Sequence, residues 1–246
     1  MSLSGEAFVK EIEEMVSKKH SKDHPVIELI EKGELSREGL KGFAGQFYLF
    51  FPKPFPKPIA AMLGRCPDDA VLEKMWIENV VEEGTGELTG TDSHKRLYVR
   101  FAEACGYSRE ELDRVAPLPE TLAFLDWREL LIYQRSWLEL YASQGFGLEG
   151  TANKRMARIV NGLTKHYGFD RDSEDIRFWN LHMGVDEEHM KVGPEAVKKY
   201  AVTDLQQEQV RQAIQKTLDI FWLAHDGIKR AFVDKDPLYS KWRNGG

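Results

Sequence analysis

Apolar residues recur along this chain at intervals of three and four, while strand-like alternation between turn signals is hard to find. From Ser4 to Lys19, Phe8, Ile12, Met15 and Val16 share one face among Glu and Lys, which predicts an amphipathic helix. Pro25 suits the first turn of a short helix that Gly33 ends. Ser36 opens the next helix, where Phe43, Phe47, Tyr48 and Phe51 form an aromatic stripe read as core. Pro52, Pro54, Pro56 and Pro58 interrupt the chain before Ile59 to Leu63 resumes. Asp68 or Asp69 caps a helix through Met75, Trp76, Val80 and Val81.

A glycine-dense loop follows from Gly84 to Asp92, and helix returns from Ser93-His94 to about Cys105. Ser108 and Glu111 have capping-box spacing. Leu118 to Ser143 reads as one long helix that the Gly145 to Gly150 stretch interrupts, with helix again from Asn153 to Leu163. Ser173 caps a helix bearing His182 that Gly193-Pro194 should end, a short helix runs to about Tyr200, and Thr203 to Phe232 is the last long one. Long helices, short turns, no repeats and no separating linker predict one all-α domain over residues 1–246. Its core lies at about 5–233, in a bundle of about seven helices without a parallel sheet.

Composition narrows the partners more than the fold. The 42% hydrophobic and 30% charged content suits an ordinary soluble domain, and a net charge of −6 argues against nucleic acid or an anionic membrane as partner. No apolar run has the length of a membrane span, and Met1 to Gly5 lacks the apolar region of a signal peptide. The only two cysteines, Cys66 and Cys105, are expected as free thiols in a reducing cytoplasm. We expect a cytoplasmic protein with a small-molecule substrate, assembled as a homodimer.

The chemistry concentrates between Phe178 and Met190. There His182, Asp186 and His189 stand at i, i+4 and i+7, within a stripe about 60° wide on one helix face. Two imidazoles and a carboxylate one turn apart can converge on iron, manganese or zinc. Such spacing also arises from plain surface hydrogen bonding, so further donors must be sought on other helices. Glu82 and Glu83, with Glu87 as a rival, precede His94 across the glycine loop. At a helix C-terminus these acids oppose the dipole and would welcome a cation. Glu149 sits in the apolar, glycine-flanked run Phe146 to Thr151, where it could bind metal, cap a kinked helix or pair with Arg135. Glu83, His94, Glu149, His182, Asp186 and His189 together suit two metals sharing a bridging carboxylate. Tyr48 and Tyr141 are candidates for polar or redox contacts in the pocket. His20 and His24 are read as decorating a helix end, and His225 with Asp226 falls on the final helix.

The His182-x-x-x-Asp186-x-x-His189 helix, Glu149 upstream, and the Asn79-Val-Val-Glu-Glu run leading to His94 resemble the haem-oxygenase-like di-metal oxidases. That superfamily includes the chlamydial CADD protein, related p-aminobenzoate-forming enzymes and several N-oxygenases. The stretches Lys32 to Leu40, Gly64 to Asp69, Arg100 to Gly106 and Gly162 to Asp170 are also similar to the CADD group, so the likeness spans roughly 8–232. It implies a seven-helix haem-oxygenase-like fold without haem, two iron ions (manganese being the substitute) and O₂ as co-substrate. The ligands it implies are Glu83, His94, Glu149, His182, Asp186 and His189. The chain departs from the chlamydial pattern in its longer loop before His94. Leu148 and Ile27 also stand where that pattern has tyrosines, so p-aminobenzoate formation from the protein itself does not carry over.

Relatives of the same fold offer other chemistries. Pyrroloquinoline-quinone synthase works without a cofactor in a cavity lined by His and Arg, which His94, His182 and Arg135 could imitate. TenA hydrolases need a cysteine nucleophile, for which Cys66 and Cys105 are poorly placed. A non-catalytic helical interaction module is a further alternative. The sequence favours a non-haem di-iron oxidase or oxygenase acting on an amine, amino acid or aromatic substrate.

Overall fold

The computed structural model describes residues 2–183 and 192–243, and among them the chain forms helices and turns with no strand. Helix α1, Gly5–Lys18, begins where the Ser4 hydroxyl accepts the Ala7 N–H. Helix α2, Pro25–Lys32, is capped by the His24 ring, whose Nδ1 accepts the Val26 N–H, and ends on Gly33 at φ 72°. Helices α3, Arg37–Phe50, and α4, Lys57–Leu63, flank the proline run. Asp69, not Asp68, caps α5, Ala70–Thr85, which extends through Gly84 before Gly86 turns the chain. Helices α6, His94–Ala104, and α7, Arg109–Asp113, follow, the latter with the Ser108–Glu111 capping box.

The expected helix from Leu118 to Ser143 is two: α8, Pro119–Tyr133, and α9, Trp137–Ala142. A second capping box, Ser136 with Glu139, restarts the chain between them, and its polar residues were hidden inside a continuous apolar period. A π-helical turn over Ser143–Leu148 and a 3₁₀ turn over Glu149–Thr151 lead into α10, Ala152–His166. Helix α11 is Arg177–Met183 and α12 is Val192–Tyr200, with Gly193-Pro194 in the first turn of α12. Helix α13, Asp204–Ile228, has a Thr203–Gln206 capping box and gives way to a π turn at Lys229 rather than running on to Phe232. The short α14, Ser240–Arg243, lies beyond.

Helix α13 runs about 37 Å and packs along α8, α9 and the π turn, while α10 is wedged between α2 and α11. The aromatic stripe of α3 joins the halves: Phe47 lies 5.0 Å from Trp179 and 5.6 Å from Tyr98, ring centre to ring centre, and all three are fully buried. Truncating a ring so placed costs about 3–5 kcal/mol, so this contact fixes α11 against α3 and α6. His24 and His225 belong to the same interior, both fully buried, with His24 Nε2 3.1 Å from Asp226 Oδ1.

Candidate metal centre

The last turn of α5 sets two acids at the mouth of the bundle interior. Gly86, at φ 69°, lets the chain double back so tightly that a Cβ there would lie 2.4 Å from the Asp92 carbonyl oxygen. The returning loop is clasped by Glu82, whose Oε2 accepts the N–H groups of Leu88 (3.0 Å) and Thr89 (3.2 Å). Its Oε1 accepts the Thr89 hydroxyl at 2.5 Å. Burial alone would raise the Glu82 carboxyl, but these partners and His94 outweigh it and hold the group below its ordinary range. Glu87 is exposed on the loop. Glu83, one residue round the helix from Glu82, remains to face the interior.

His94 opens α6, with its Nε2 3.2 Å from Glu82 Oε1 and its Nδ1 3.0 Å from Glu83 Oε2. The second contact is out of line for a hydrogen bond, so Nδ1 is buried without a hydrogen-bond partner. With Glu82 accepting from Nε2, Nδ1 on the Glu83 side is the atom a metal would bind in place of a proton, the usual bracing of a metal-bound histidine by an outer carboxylate. Burial pushes the His94 imidazole down, yet the two carboxylates more than reverse this and raise it above its ordinary value. His182 is braced the same way by a carbonyl, with its Nδ1 2.7 Å from the oxygen of Phe178. Burial, then His94 beside it, pushes the His182 imidazole down to about 4, which keeps it neutral and able to ligate. The two rings are 4.8 Å apart, and donor atoms of Glu83, His94 and His182 all lie within 4.8 Å of one another.

Glu149 reaches the same cavity from the first residue after the π turn. That turn packs against α12 where Gly145 meets Gly193, and a Cβ on Gly145 would sit 2.4 Å from the Gly193 Cα. Gln144 donates to Glu149 Oε1 at 2.7 Å. Burial, reinforced by the nearby Glu83 charge, pushes the Glu149 carboxyl up to about 7, since an ion there has little water to solvate it. Part of its surface stays accessible, facing a narrow cavity of about 30 Å³ that Glu83, His94 and His182 also line. The remaining wall is apolar, including Phe47, Phe51, Phe55, Leu148, Met156 and Phe178. Two imidazoles with their outer nitrogens tied down, an orphaned Nδ1 and two acids at an apolar wall fit a transition metal that prefers nitrogen and oxygen donors.

Of the six expected ligands the structure therefore gathers Glu83, His94, Glu149 and His182, while Asp186 and His189 lie outside the described residues. It does not bring Tyr48 to this cavity: about 100° round α3 from Phe47, its hydroxyl donates to Asp113 Oδ1 at 3.3 Å. Tyr141 donates to the Met62 carbonyl at 3.0 Å and borders a second, smaller hollow behind Glu149, together with Trp76 and Gln144. Arg135 pairs with Glu139, not Glu149. Neither cysteine lines the metal cavity. Three participants had escaped notice: Glu82 as a brace, Gln144, and Arg155. The signal for Arg155 was in the sequence, since it falls on the apolar face of α10 with Ala152, Met156 and Ile159.

Residues 41–222 match a family model described as iron-containing redox enzymes. The 4-aminobenzoate synthase of Nitrosomonas europaea is 26% identical over 230 residues, covering 90% of each chain. That of Chlamydia trachomatis is 27% identical, covering 87% of this chain and 91% of its own. The pyrroloquinoline-quinone synthase of Klebsiella pneumoniae is 24% identical over 88% of this chain and 84% of its own. Among solved structures, a TenA homologue from Pseudomonas syringae superposes with a TM-score of 0.75 at 18% identity, covering 91% of this chain and 93% of its own. A CADD-like protein from Nostoc punctiforme gives 0.71 at 17%, covering 93% and 98%. The helical architecture is the haem-oxygenase-like fold these proteins share.

Proposed function

This chain belongs to the family of iron-containing redox enzymes, and from that premise we propose that it is a non-haem di-iron oxidase or oxygenase acting on a small organic substrate held in the cavity. The observation that carries the reading is the convergence of Glu83, His94 and His182 within 4.8 Å, each histidine oriented by an outer acceptor. Two histidines and one carboxylate are the donor set of many non-haem iron sites. Glu149, Asp186 and His189 extend it to a set suited to a pair of ions in a helical bundle. Iron bound there supplies the one-electron chemistry through which O₂ reacts with organic molecules.

The chain's own residues prepare that chemistry. Glu82 and the Phe178 carbonyl fix the imidazoles before any ligand arrives, so little reorganisation is left for the bound state. Phe47, Phe51, Phe55 and Phe178 keep bulk water from the cavity. Glu149 retains a proton near neutrality and releases it when a cation replaces it. Leu148 puts a side chain without a hydroxyl at the wall, so the substrate need not be that of the 4-aminobenzoate synthases. The unpaired cysteines, Cys66 and Cys105, suit a cytoplasmic setting, and no described helix is long and apolar enough to cross a membrane.

A metal-free oxidase of the pyrroloquinoline-quinone synthase kind is the second reading, favoured by Arg155 beside His94 and His182 in one cavity. It leaves Glu83 and Glu149 as two acids in a largely apolar chamber, with Arg155 acting on Glu149 only from a distance and making no ion pair with either among the described residues. Elemental analysis after anaerobic loading with ferrous iron separates the two. About two irons per chain, with O₂ uptake, supports the di-iron reading; turnover by protein stripped of metal overturns it.

A further inference from the structure

One charged side chain in the cavity is left without a task by the metal-binding set. Arg155 is 1% exposed, yet no carboxylate among the described residues comes within ion-pair distance of it. Its hydrogen bonds all leave from Nη1, to the Ser21 hydroxyl at 2.6 Å and to the Thr151 hydroxyl and carbonyl oxygen at 3.0 and 3.4 Å. Nε is buried with no partner at all. The guanidinium carbon lies 5.0 Å from the Phe221 ring centre. Among the described residues no hydrogen bond is made from Nη2 either, and Nε with Nη2 is the side-on fork that receives a carboxylate in two parallel hydrogen bonds.

The Glu149 carboxylate favours the Arg155 charge from a distance but makes no ion pair with it, so a fork held by three bonds to Ser21 and Thr151 is left ready for a planar anion. The same residue lines the cavity with Glu83, His94, Glu149 and His182, and apolar side chains fill the rest of the wall. We infer that Arg155 is the anion-recognition residue of this cavity, and that the substrate class is a small carboxylic acid with an apolar body. The carboxylate would sit on the free edge of Arg155, leaving the hydrocarbon part among Phe47, Phe51, Met156 and Phe178 and one of its bonds toward the donors of His94 and His182. The cavity is narrow, so the acid it takes is small. The inference rests on the proposal that this cavity is the reaction chamber, but it does not require that iron be the metal.

The test is binding to metal-free protein, measured by calorimetry with matched probes: benzoate against benzamide, and octanoate against octanamide. Each acid is expected to bind at least about tenfold more tightly than its amide, the discrimination a charge-assisted fork supplies. Arg155→Gln should abolish that preference while leaving amide binding and helicity unchanged. Arg155→Lys, which keeps the charge but not the fork, should restore part of it and also serves if the Gln variant fails to fold. Equal binding of acid and amide to the wild type overturns the inference, as does an acid preference that survives Arg155→Gln. Repeating the titration with ferrous protein and with His182→Ala separates the two proposals. An acid preference lost only in His182→Ala means that the carboxylate binds the metal and Arg155 merely balances Glu149. A preference that follows Arg155 in protein holding no metal sustains this inference even where the di-iron reading fails.

Discussion

Phe178 and His182 meet across one turn of α11, the carbonyl oxygen of the first lying 2.7 Å from Nδ1 of the second. A carbonyl only accepts, so Nδ1 carries the proton and the Nε2 lone pair is free for a ligand. A backbone acceptor cannot be mutated away, which makes this orientation independent of other side chains. His182→Ala should lower iron affinity by at least about 100-fold, more than loss of an outer partner alone costs. Circular dichroism should stay unchanged, because α11 is held by Trp179 rather than by this ring. Iron content close to wild type in this variant would remove His182 from the site.

Glu82 and Glu83 are adjacent in sequence and opposite in role. Glu83→Gln should cost the bound metal. Glu82→Gln should leave the metal in place but weakened by about 10–100-fold, as outer partners do. It should also lower unfolding free energy by about 1.5–3 kcal/mol, because a charged acceptor of the Leu88 and Thr89 N–H groups is lost. Urea unfolding and metal analysis on both variants check the pair, and identical behaviour of the two would contradict the division.

The Glu149 carboxyl should contribute a stability to the metal-free protein that falls as pH rises from about 4.5 toward 7, against the opposite contribution of buried neutral histidines such as His182. The Glu149 carboxyl, pushed up to about 7 by burial and by Glu83, is protonated in the folded state over a range where the unfolded chain has already ionised. A raised folded value contributes stability that is full below the unfolded value and is lost through the folded one, here on the order of 3 kcal/mol. Glu149→Gln should flatten that slope. Metal affinity should rise over the same interval, because the cation displaces the proton. A Glu149→Gln variant whose stability follows the same pH profile as the wild type between pH 4.5 and 7 would count against a buried Glu149.

Gly145→Ala tests the bend that aims Glu149. The added methyl would lie 2.4 Å from the Gly193 Cα, and backbone cannot step aside as a flexible side chain can. The expected loss is about 1–3 kcal/mol, accompanied by weaker metal binding because the π turn that leads into Glu149 must shift. A stable variant with normal metal content would show that the two segments are looser than this contact requires.

Tyr48→Phe should change neither metal content nor activity, and stability by no more than about 1.5 kcal/mol. Its hydroxyl serves Asp113 and not the cavity. A large loss of turnover in this variant would place Tyr48 in the reaction after all.

How much of this was readable beforehand follows from what each feature depends on. Helix limits at Ser4, Pro25, Gly33, Asp69 and Ser108 depend on a side chain and backbone a few residues away, so local composition contained them. The break at Ser136 was equally local, but the apolar period ran straight through it and masked the cap. The chemical types at the site were legible too, since few side chains can bind a metal and these recur at helical spacing.

The direction in which each of those side chains points was not in the sequence, because it depends on helices far along the chain. Glu82 and Glu83 are interchangeable as letters, and only the fold of the Gly86 loop commits one to the backbone and frees the other for His94 and His182. Tyr48 shares an aromatic run with Phe47, yet α7 claims its hydroxyl while Phe47 lines the cavity. Arg155 was a charge on an apolar face until α10 was set against Ser21 and Phe221, which left one edge of its fork open inside the bundle. Periodicity and capping fixed the helices, whereas the site came from their crossing, since a cavity wall is shared among segments more than a hundred residues apart.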